Sequence, residues 1–365
     1  MRSAVTMAEV AARAGVSVST VSHVVNETRH VNAETRERVL KVIKETGYLP
    51  NRVASSLVTS ETHLIGIVMS ALTNRFFVPV VAAIDRAGRR RGYSSVLADS
   101  RDRVASEAEA VSMLLSRRVD GLVLAPSGGD RRAVLDKLVE EQVPTVLIDR
   151  FVDERFDQVG VENIESMAAL VEHLAALGHS RIALVSGLRS IPTTAERIAG
   201  YELGLKRAGL PLDRRLVVSG RSAADPAESA LTKLLRCKDA PTAVVSGNNY
   251  MTIGVLRALQ KRSMRVPDDI AVVAYDDLEF ADVFEPRLTV VAQPVAQIAT
   301  KAVELLIRRM ASKENTSSPS CIRFPGVFVH RESCGCALRD ASLSPSAAVG
   351  AKRGGLRSHS VVPAV

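Results

Sequence analysis

From Leu64 onward the sequence alternates short apolar runs, rich in β-branched residues, with segments of helical periodicity. The nine runs are HLIGIVMS, YSSVLADS, VDGLVLAPS, VPTVLIDR, RIALVSGL, RLVVSG, PTAVVSGN, IAVVAYDD and LTVVAQP. Such runs are typical of parallel strands buried on both faces, and VASEAEAVSMLLSRR and NYMTIGVLRALQKR predict crossover helices. Nine strands are too many for one simple doubly wound sheet. We therefore predict two α/β lobes, dividing near Val161 and again near Leu288.

The residues before these runs predict short helices instead. Thr6 followed by Glu9 forms a capping box, so the first helix is expected to begin near Met7. Gly15 supplies the left-handed residue that ends it, and Ser17 is expected to cap a second helix. Two helices joined by a tight turn with glycine are typical of a helix-turn-helix.

A third helix, AETRERVLKVIKET, is predicted between an Asn32 cap and Gly47. Its periodicity predicts that Val39, Leu40 and Ile43 face inward. Three such helices make a small all-α domain with its own core.

The second helix is expected to present small and polar side chains on its outer face. Val21 is predicted to pack inward, which leaves Val18, Ser19, Ser22 and His23 outside. Small hydroxylated residues let a helix enter the major groove of DNA, where hydroxyls and an imidazole meet base edges. The net charge of +8 permits an anionic partner. A helical bundle with a solvated face is the alternative interpretation.

The segment PNRVASSLVTSE, from Pro50 to Glu61, is too short to form a stable helix alone. It is either a flexible tether or a hinge that folds on DNA. In the second case Leu57, an apolar residue in polar surroundings, would be inserted into the minor groove.

The stretches TMAEVAARAGVSVSTVSHVVN and TRERVLKVIKETGYLPNRVASSL resemble the LacI/GalR family of bacterial repressors. The resemblance implies a homodimer that binds a pseudo-palindromic double-stranded DNA operator. It implies that Val18, Ser19 and His23 contact bases, while Thr20, Ser22 and Asn26 help to contact phosphates. In the hinge it implies these DNA-binding residues: Asn51, Arg52, Ser56 and the minor-groove residue Leu57.

Polar and aromatic residues recur where the predicted strands end. They are Asn74, Phe76, Phe77, Asp149, Arg150, Arg197, Asn248, Asp276 and Gln293. Carboxylates, amides and guanidinium groups can bind vicinal hydroxyls, and a Phe ring can stack on a sugar. Taken singly, each residue is equally typical of a helix cap or a loop ion pair.

This part of the chain also resembles periplasmic sugar-binding proteins of the ribose type. The resemblance implies that these nine residues bind an effector between the two lobes. We expect a neutral carbohydrate, first a ribose-like pentose acting as an inducer. One alternative is a nucleoside or purine acting as a corepressor.

Two functions of other classes stay open on the residues alone. One is a sugar-modifying enzyme with Asp149 and Asp276 as acid and base; the other is an architectural DNA protein. The sequence holds no P-loop, G-x-G-x-x-G, G-x-S-x-G or H-E-x-x-H motif, which disfavours an enzyme, and no cofactor is expected.

The four cysteines show neither C-x-x-C nor a paired histidine spacing, so we expect reduced thiols and no metal site. No apolar run approaches the ~20 residues that span a bilayer, and no signal peptide is evident. A bacterial cytoplasmic protein without membrane contact is therefore expected.

The predicted fold is an all-α helix-turn-helix DNA-binding domain plus hinge, followed by an α/β two-lobed periplasmic-binding-protein-like domain. The predicted bounds are 1–49 for the DNA-binding domain, 50–60 for the hinge and 61–336 for the effector-binding and dimerisation domain. Residues 337–365, rich in Ser, Ala, Gly and Pro, are predicted to be a disordered tail.

Overall fold

The structure is a computed structural model that describes residues 5–26, 29–48, 61–277, 281, 283, 285–312 and 318–336. The chain divides into two compact units. Unit 1 comprises Met1–Asn163, Arg189–Ala195 and Gln293–Gly326. Unit 2 comprises Ile164–Leu188, Glu196–Ala292 and Val327–Val365. The crossings after Asn163 and after Ala292 lie close to the two predicted divisions, whereas the crossing after Gly326 was not predicted.

The chain begins with the three predicted helices: α1 (Met7–Ala14), α2 (Val18–Asn26) and α3 (Ala33–Thr46). Thr6 Oγ1 accepts a hydrogen bond from Glu9 N at 3.3 Å, as expected for the cap of α1. Gly15 and Gly47 adopt left-handed φ values of 65° and 63° at the ends of α1 and α3. The Asn32 side chain accepts from Thr35 N at 2.8 Å and caps α3. The predicted caps and glycine stops of α1 and α3 are confirmed.

These helices share one apolar core, built from Val10, Ala11, Val21 and Val39 among others. Leu40 is 42% exposed, so the prediction that it faces inward is wrong. Val42 and Val39 lie three residues apart on the same side of α3, and Leu40 is turned away from that side by the 3.6-residue period.

Unit 1 contains a six-stranded sheet with the order β11-β5-β4-β3-β1-β2, in which every paired strand is parallel. Its strands are β1 (Leu64–Met69), β2 (Ser94–Asp99), β3 (Gly121–Leu124), β4 (Thr145–Ile148), β5 (Asp157–Glu162) and β11 (Cys321–Pro325). Its helices are α4 (Phe77–Arg89), α5 (Val104–Ser116), α6 (Arg132–Glu140) and α11 (Val295–Ala311). Helices α4 and α11 contribute to the apolar cluster on one face, and α5 and α6 to that on the other.

Unit 2 contains a second six-stranded sheet, with the order β12-β10-β9-β8-β6-β7. Its strands are β6 (Ile182–Ser186), β7 (Val217–Ser219), β8 (Ala243–Ser246), β9 (Ala271–Tyr275), β10 (Thr289–Ala292) and β12 (Val327–Val329). Its pairs are parallel except for β10 with β12, which is antiparallel. Its helices are α7 (Ile164–Ala176), α8 (Pro192–Arg207, whose first four residues belong to unit 1), α9 (Ala224–Leu234) and α10 (Asn249–Lys261).

All nine predicted strands are present, and three further strands, β5, β11 and β12, were missed. Strand β11 alternates exposed and half-buried residues at a sheet edge, and β12 has only three residues. Strand β5 is held by a buried ion pair: Arg309 Nε donates to Asp157 Oδ2 at 2.7 Å, which ties α11 to the strand. Among the described residues there is no helix whose length and apolar content would let it span a membrane.

Candidate DNA-binding and effector sites

The N-terminal end of α2 carries a cluster of hydroxyl groups. Ser17 Oγ accepts from Thr20 N at 3.1 Å, so Ser17 caps the helix as predicted. The hydroxyls of Ser19 and Thr20 each lie 2.8 Å from Ser17 Oγ. Hydroxyls and unpaired backbone N–H groups at a helix N-terminus suit an anionic group such as a DNA phosphate.

The residues predicted to face outward from α2 are exposed or half-buried. Val18 is 48% exposed and Ser19 is also exposed, while Ser22 and His23 are half-buried. Val21 on the opposite face is fully buried, which orients α2 with its small polar side outward.

Three basic residues that the sequence analysis did not single out lie beside His23. Arg29, His30 and Arg36 line a cavity of about 280 Å³ together with it. This local positive charge is where a phosphate backbone would be attracted. The side chain of Asn26 and the predicted hinge residues Asn51, Arg52, Ser56 and Leu57 lie outside the described residues.

In unit 1, Asn74 and the two phenylalanines lie in the turn that begins α4. Asn74 Oδ1 accepts from Phe76 N at 3.0 Å, so this side chain organises the turn. The rings of Phe76 and Phe77 meet edge to face with centroids 5.2 Å apart. Phe77 is only 3% exposed within the apolar core, whereas Phe76 is half-buried at its margin. Phe76 is thus the more accessible ring.

Arg150 follows β4 and is buried, with 6% of its surface exposed. Its Nη1 donates to Asp102 Oδ1 at 2.5 Å and to the carbonyl oxygen of Pro126 at 2.6 Å. Its neighbour Asp149 has a left-handed φ of 67°, and its carboxylate lies 3.7 Å from Arg150 Nε. Asp102, which orients the guanidinium, was not predicted because it lies in a loop rather than directly at a strand end.

A buried polar network continues along the ends of β1, β2 and β3. Glu107 on α5 is fully buried and accepts from Ser127 N at 2.5 Å. The hydroxyls of Ser127 and Ser100 lie 2.8 Å apart, and Ser70 directly follows β1. Burial raises the pKa of the Glu107 carboxyl, although the hydrogen bonds from Ser127 act in the opposite direction. These polar residues were not predicted, because nothing in the local sequence shows that they are buried.

In unit 2, Arg197 on α8 is held from two sides. Its Nη1 donates to the carbonyl oxygen of Gly247 at 2.7 Å, and its guanidinium carbon lies 3.8 Å from the centroid of the Tyr275 ring. Arg197 is 8% exposed and Tyr275 is fully buried. The guanidinium is therefore fixed at the ends of β8 and β9.

Asn248 and Asp276 lie at the ends of the same two strands. Asn248 Oδ1 accepts from Met251 N at 2.8 Å, so Asn248 is the N-cap of α10. Asp276, with φ of 75° and 4% exposure, accepts from Asn249 N at 3.4 Å. The alternative role of a helix cap thus applies to Asn248, whose amide nitrogen is not used in that bond. Gln293, after β10, is half-buried in unit 1.

Unit 2 also brings together residues that could hold a metal ion. The ligand atoms of His173, His330, Cys334 and Cys336 all lie within 4.8 Å of one another. Burial alone would raise the pKa of the Cys334 thiol, but hydrogen bonds from His173, Thr289 and Cys336 lower it to about 6. The spacing of the cysteines in the sequence predicted no metal site, so this cluster was not expected.

Comparison with known proteins bears directly on these sites. Residues 6–51 match the family described as bacterial regulatory proteins, lacI family, and residues 171–334 match a periplasmic binding protein-like domain. The HTH-type transcriptional repressor PurR of Vibrio atlanticus (strain LGP32) is 34% identical over 313 residues, 85% of this chain and 93% of that protein. This chain belongs to the LacI family. The ribose operon repressor of Escherichia coli (strain K12) is 35% identical over 308 residues, 84% of this chain and 93% of that protein.

Solved structures of LacI-family regulators show the same architecture. The lac repressor dimer bound to operator and the anti-inducer ONPF matches with a TM-score of 0.82 and 31% identity, over 91% of this chain and 99% of that one. The complex of the transcriptional regulator CelR with cellobiose matches with a TM-score of 0.68 and 32% identity, over 90% and 99%. The predicted fold class is confirmed.

Membership of the LacI family decides between the classes of function left open by the sequence. The chain is a DNA-binding transcriptional repressor, with a helix-turn-helix at its N-terminus and a periplasmic-binding-protein-like part after it. It is a regulator and not an enzyme, so Asp149 and Asp276 are not an acid and base pair in catalysis.

Proposed function

We propose that this LacI-family repressor binds a pseudo-palindromic operator as a homodimer and releases it when a ribose-like pentose binds. The proposed effector-binding residues are Asn74, Phe76, Phe77, Asp149, Arg150, Arg197, Asn248, Asp276 and Gln293. A relative named for the ribose operon and the CelR complex with cellobiose support a carbohydrate effector. The protein would act in the bacterial cytoplasm and lie on the nucleoid while bound to its operator.

The observation that carries the proposal is a set of buried polar atoms without a hydrogen-bond partner among the described residues of unit 1. They include Ser70 Oγ, Glu107 Oε1 and Arg150 Nε. Leaving such an atom unpaired costs about 1–3 kcal/mol, so native proteins usually supply a partner. The set mixes donors and acceptors, and hydroxyl groups both donate and accept. A polyhydroxyl ligand therefore matches it.

The charges of the proposed effector-binding residues disfavour a phosphorylated ligand. Arg150 already pairs with Asp102, and Arg197 already donates to a carbonyl oxygen. Asp149 and Asp276 would repel a phosphate, and Asp102 already compensates the charge of Arg150. A neutral sugar avoids this repulsion.

Calorimetry on the purified full chain tests the effector. D-ribose is expected to bind the wild type, and Arg197→Ala and Asp276→Asn to abolish the binding heat. Arg215→Ala is a matched control, because the Arg215 side chain is 80% exposed and pairs only locally, with Asp213. Ribose 5-phosphate, adenosine and guanine are the competing ligands. Tighter binding of any of these, or normal ribose binding by both site variants, would contradict the proposal.

For DNA we propose that Val18, Ser19 and His23 contact bases and that Thr20, Ser22 and Asn26 help to contact phosphates. The proposed hinge contacts are those of Asn51, Arg52, Ser56 and Leu57. Their support is the exposed small face of α2 and the basic cavity beside His23.

Selection of bound sequences from a random DNA pool, with and without ribose, should yield a pseudo-palindrome only without the sugar. Leu57→Ala is then expected to weaken binding to the selected operator about tenfold, a loss of about 1.4 kcal/mol, and binding to random DNA far less. Equal losses on both DNAs would remove Leu57 from the proposed minor-groove contact.

The homodimer is proposed because one helix-turn-helix makes few contacts, so useful specificity needs two half-sites. The lac repressor structure with operator is a dimer and supports it. Sedimentation should show a dimer, and deletion of residues 340–365 should leave it intact. A tetramer, or dissociation on truncation, would contradict the assembly proposed.

A further inference from the structure

Two histidines and two cysteines from distant parts of the chain meet in unit 2. His173 lies on α7, and His330 directly follows β12. Cys334 and Cys336 lie a few residues further, and Cys336 is 163 residues away from His173 in the sequence. None of the four belongs to the proposed DNA-binding or effector-binding residues.

The distances between these ligand atoms are those of a compact four-ligand set. Cys334 Sγ lies 3.3 Å from Cys336 Sγ and 3.3 Å from His330 Nε2. Cys336 Sγ lies 3.4 Å from His173 Nε2. A tetrahedral zinc ion with Zn–S of about 2.3 Å and Zn–N of about 2.0–2.1 Å separates its ligand atoms by about 3.4–3.8 Å. For these three pairs, shifts of a few tenths of an ångström would therefore suffice, and all four ligand atoms lie within 4.8 Å of one another.

The ligands are held in place by the fold itself. The His173 ring meets the rings of Phe328 and His330 edge to face, with centroids 5.2 Å and 5.3 Å away. Cys334 is 1% exposed and belongs to the apolar core on the α7 face of the sheet. Gly335 adopts a left-handed φ of 84°, a conformation that lets the chain turn between the two cysteines. Little reorganisation is needed to bind a metal.

We propose that His173, His330, Cys334 and Cys336 form a structural zinc site that fastens the segment after β12 to α7. Two sulfur and two imidazole donors are a common zinc set and a poor one for Mg²⁺ or Ca²⁺, which prefer oxygen. Four protein ligands leave no open position, as in zinc sites that stabilise a fold. The exposed side of His330 gives the ion a route from solvent.

Metal content is the first test. The full chain is purified without a metal-binding tag, depleted with a chelator under reducing anaerobic conditions, and titrated with Zn²⁺ or Co²⁺ alone. We expect one ion per chain, and for Co²⁺ the intense visible bands of a tetrahedral thiolate site. Cys334→Ser and Cys336→Ser should lose the ion. Cys237→Ser and Cys321→Ser, which replace exposed thiols, should retain it.

The result that overturns the proposal is a reduced wild-type chain that takes up no zinc, or zinc retained by both Cys334→Ser and Cys336→Ser. A Cys334–Cys336 disulfide in anaerobically prepared protein would also overturn it, because the two sulfurs would then be unavailable as thiolate ligands.

Thermal unfolding keeps the test valid where a cysteine variant fails to fold. His330→Gln removes the exposed ligand and should leave the Tm in chelator equal to that of the wild type. Zinc should raise the Tm of the wild type by several degrees and that of His330→Gln by much less, since an ion that binds only the folded state stabilises it. Equal rises in both proteins would count against the site.

Discussion

The two units place polar residues at the same kind of strand end but hold them differently. In unit 1, Arg150 is buried against Asp102, and Glu107 is buried with one carboxylate oxygen that no described residue hydrogen-bonds. In unit 2, Arg197 rests on the Tyr275 ring and donates to a backbone carbonyl. Unit 1 therefore carries buried charge that is paired with neighbouring charge, whereas the two contacts described for the unit 2 guanidinium are with neutral groups.

This difference predicts where an effector contributes most to stability. A ligand whose hydroxyls reach Ser70, Glu107 and Arg150 would satisfy polar atoms that the described residues leave without a hydrogen bond. In unit 2, hydrogen bonds within the fold already fix Arg197 and Asn248. Binding there would orient the ligand more than it would satisfy buried polar atoms. Three predictions test this contrast.

The largest effect is expected for Arg150→Ala. Removing one partner of a buried ion pair leaves the other charge uncompensated and costs about 3–5 kcal/mol; because Asp102 is partly exposed, we expect about 3 kcal/mol. Arg197→Ala loses a hydrogen bond and a cation–π contact to neutral groups, with an expected cost of about 1–2 kcal/mol.

Urea unfolding of both variants measures this difference, and Arg215→Ala, an exposed arginine, should unfold like the wild type. Equal losses for Arg150→Ala and Arg197→Ala would mean that the two units hold their arginines in equivalent ways, and the contrast would be lost.

A medium effect is expected at Asn248, whose two roles can be separated. Asn248→Ala removes the cap of α10 and should cost about 1 kcal/mol, while Asn248→Ser keeps a capping oxygen and should recover most of it. Both variants lack the amide nitrogen that we propose donates to the sugar, so both should bind ribose more weakly. Ribose binding by Asn248→Ser at wild-type affinity would leave Asn248 with the capping role alone.

The sequence was informative wherever a local pattern decides the structure. Caps at Thr6, Ser17 and Asn32 and the β-branched runs depend on neighbouring residues, and the structure has them where predicted. Strands β11 and β12 depend instead on partners far away in the chain, and their own residues give little signal. The wrong prediction for Leu40 shows that where apolar residues follow closely on a helix, their apolar character alone does not tell which of them are buried.

For the proposed sites, the rule that polar residues gather at strand ends selected candidate residues but not the side chains that hold them in place. It identified Arg150, yet Asp102 and Glu107, which set the charge around it, become neighbours only through the tertiary fold. The histidine and cysteine cluster was missed for the same reason. His173 on α7 is far in sequence from the segment after β12, and a rule based on local spacing cannot detect such a contact.

The smallest effect is expected for Glu107→Gln, and it depends on pH. Folding raises the pKa of Glu107 above its ordinary value of 4.5 through burial, so the folded state holds the proton more tightly than the unfolded state. The stability contributed by the protonated form is present below pH 4.5 and is lost as the pH rises through the folded-state pKa. Glutamine has no proton to lose and stays neutral at this position as the pH rises.

The Tm of Glu107→Gln relative to the wild type should therefore increase with rising pH and then level off. Glu109→Gln, an exposed position on the same helix, is the matched control and should show no such trend. Ribose should reduce the difference, because a hydroxyl that donates to Glu107 favours the charged carboxylate of the wild type. A Tm difference that does not change with pH would mean that the Glu107 carboxyl costs no desolvation in the folded chain, and unit 1 would then lose its distinction from unit 2.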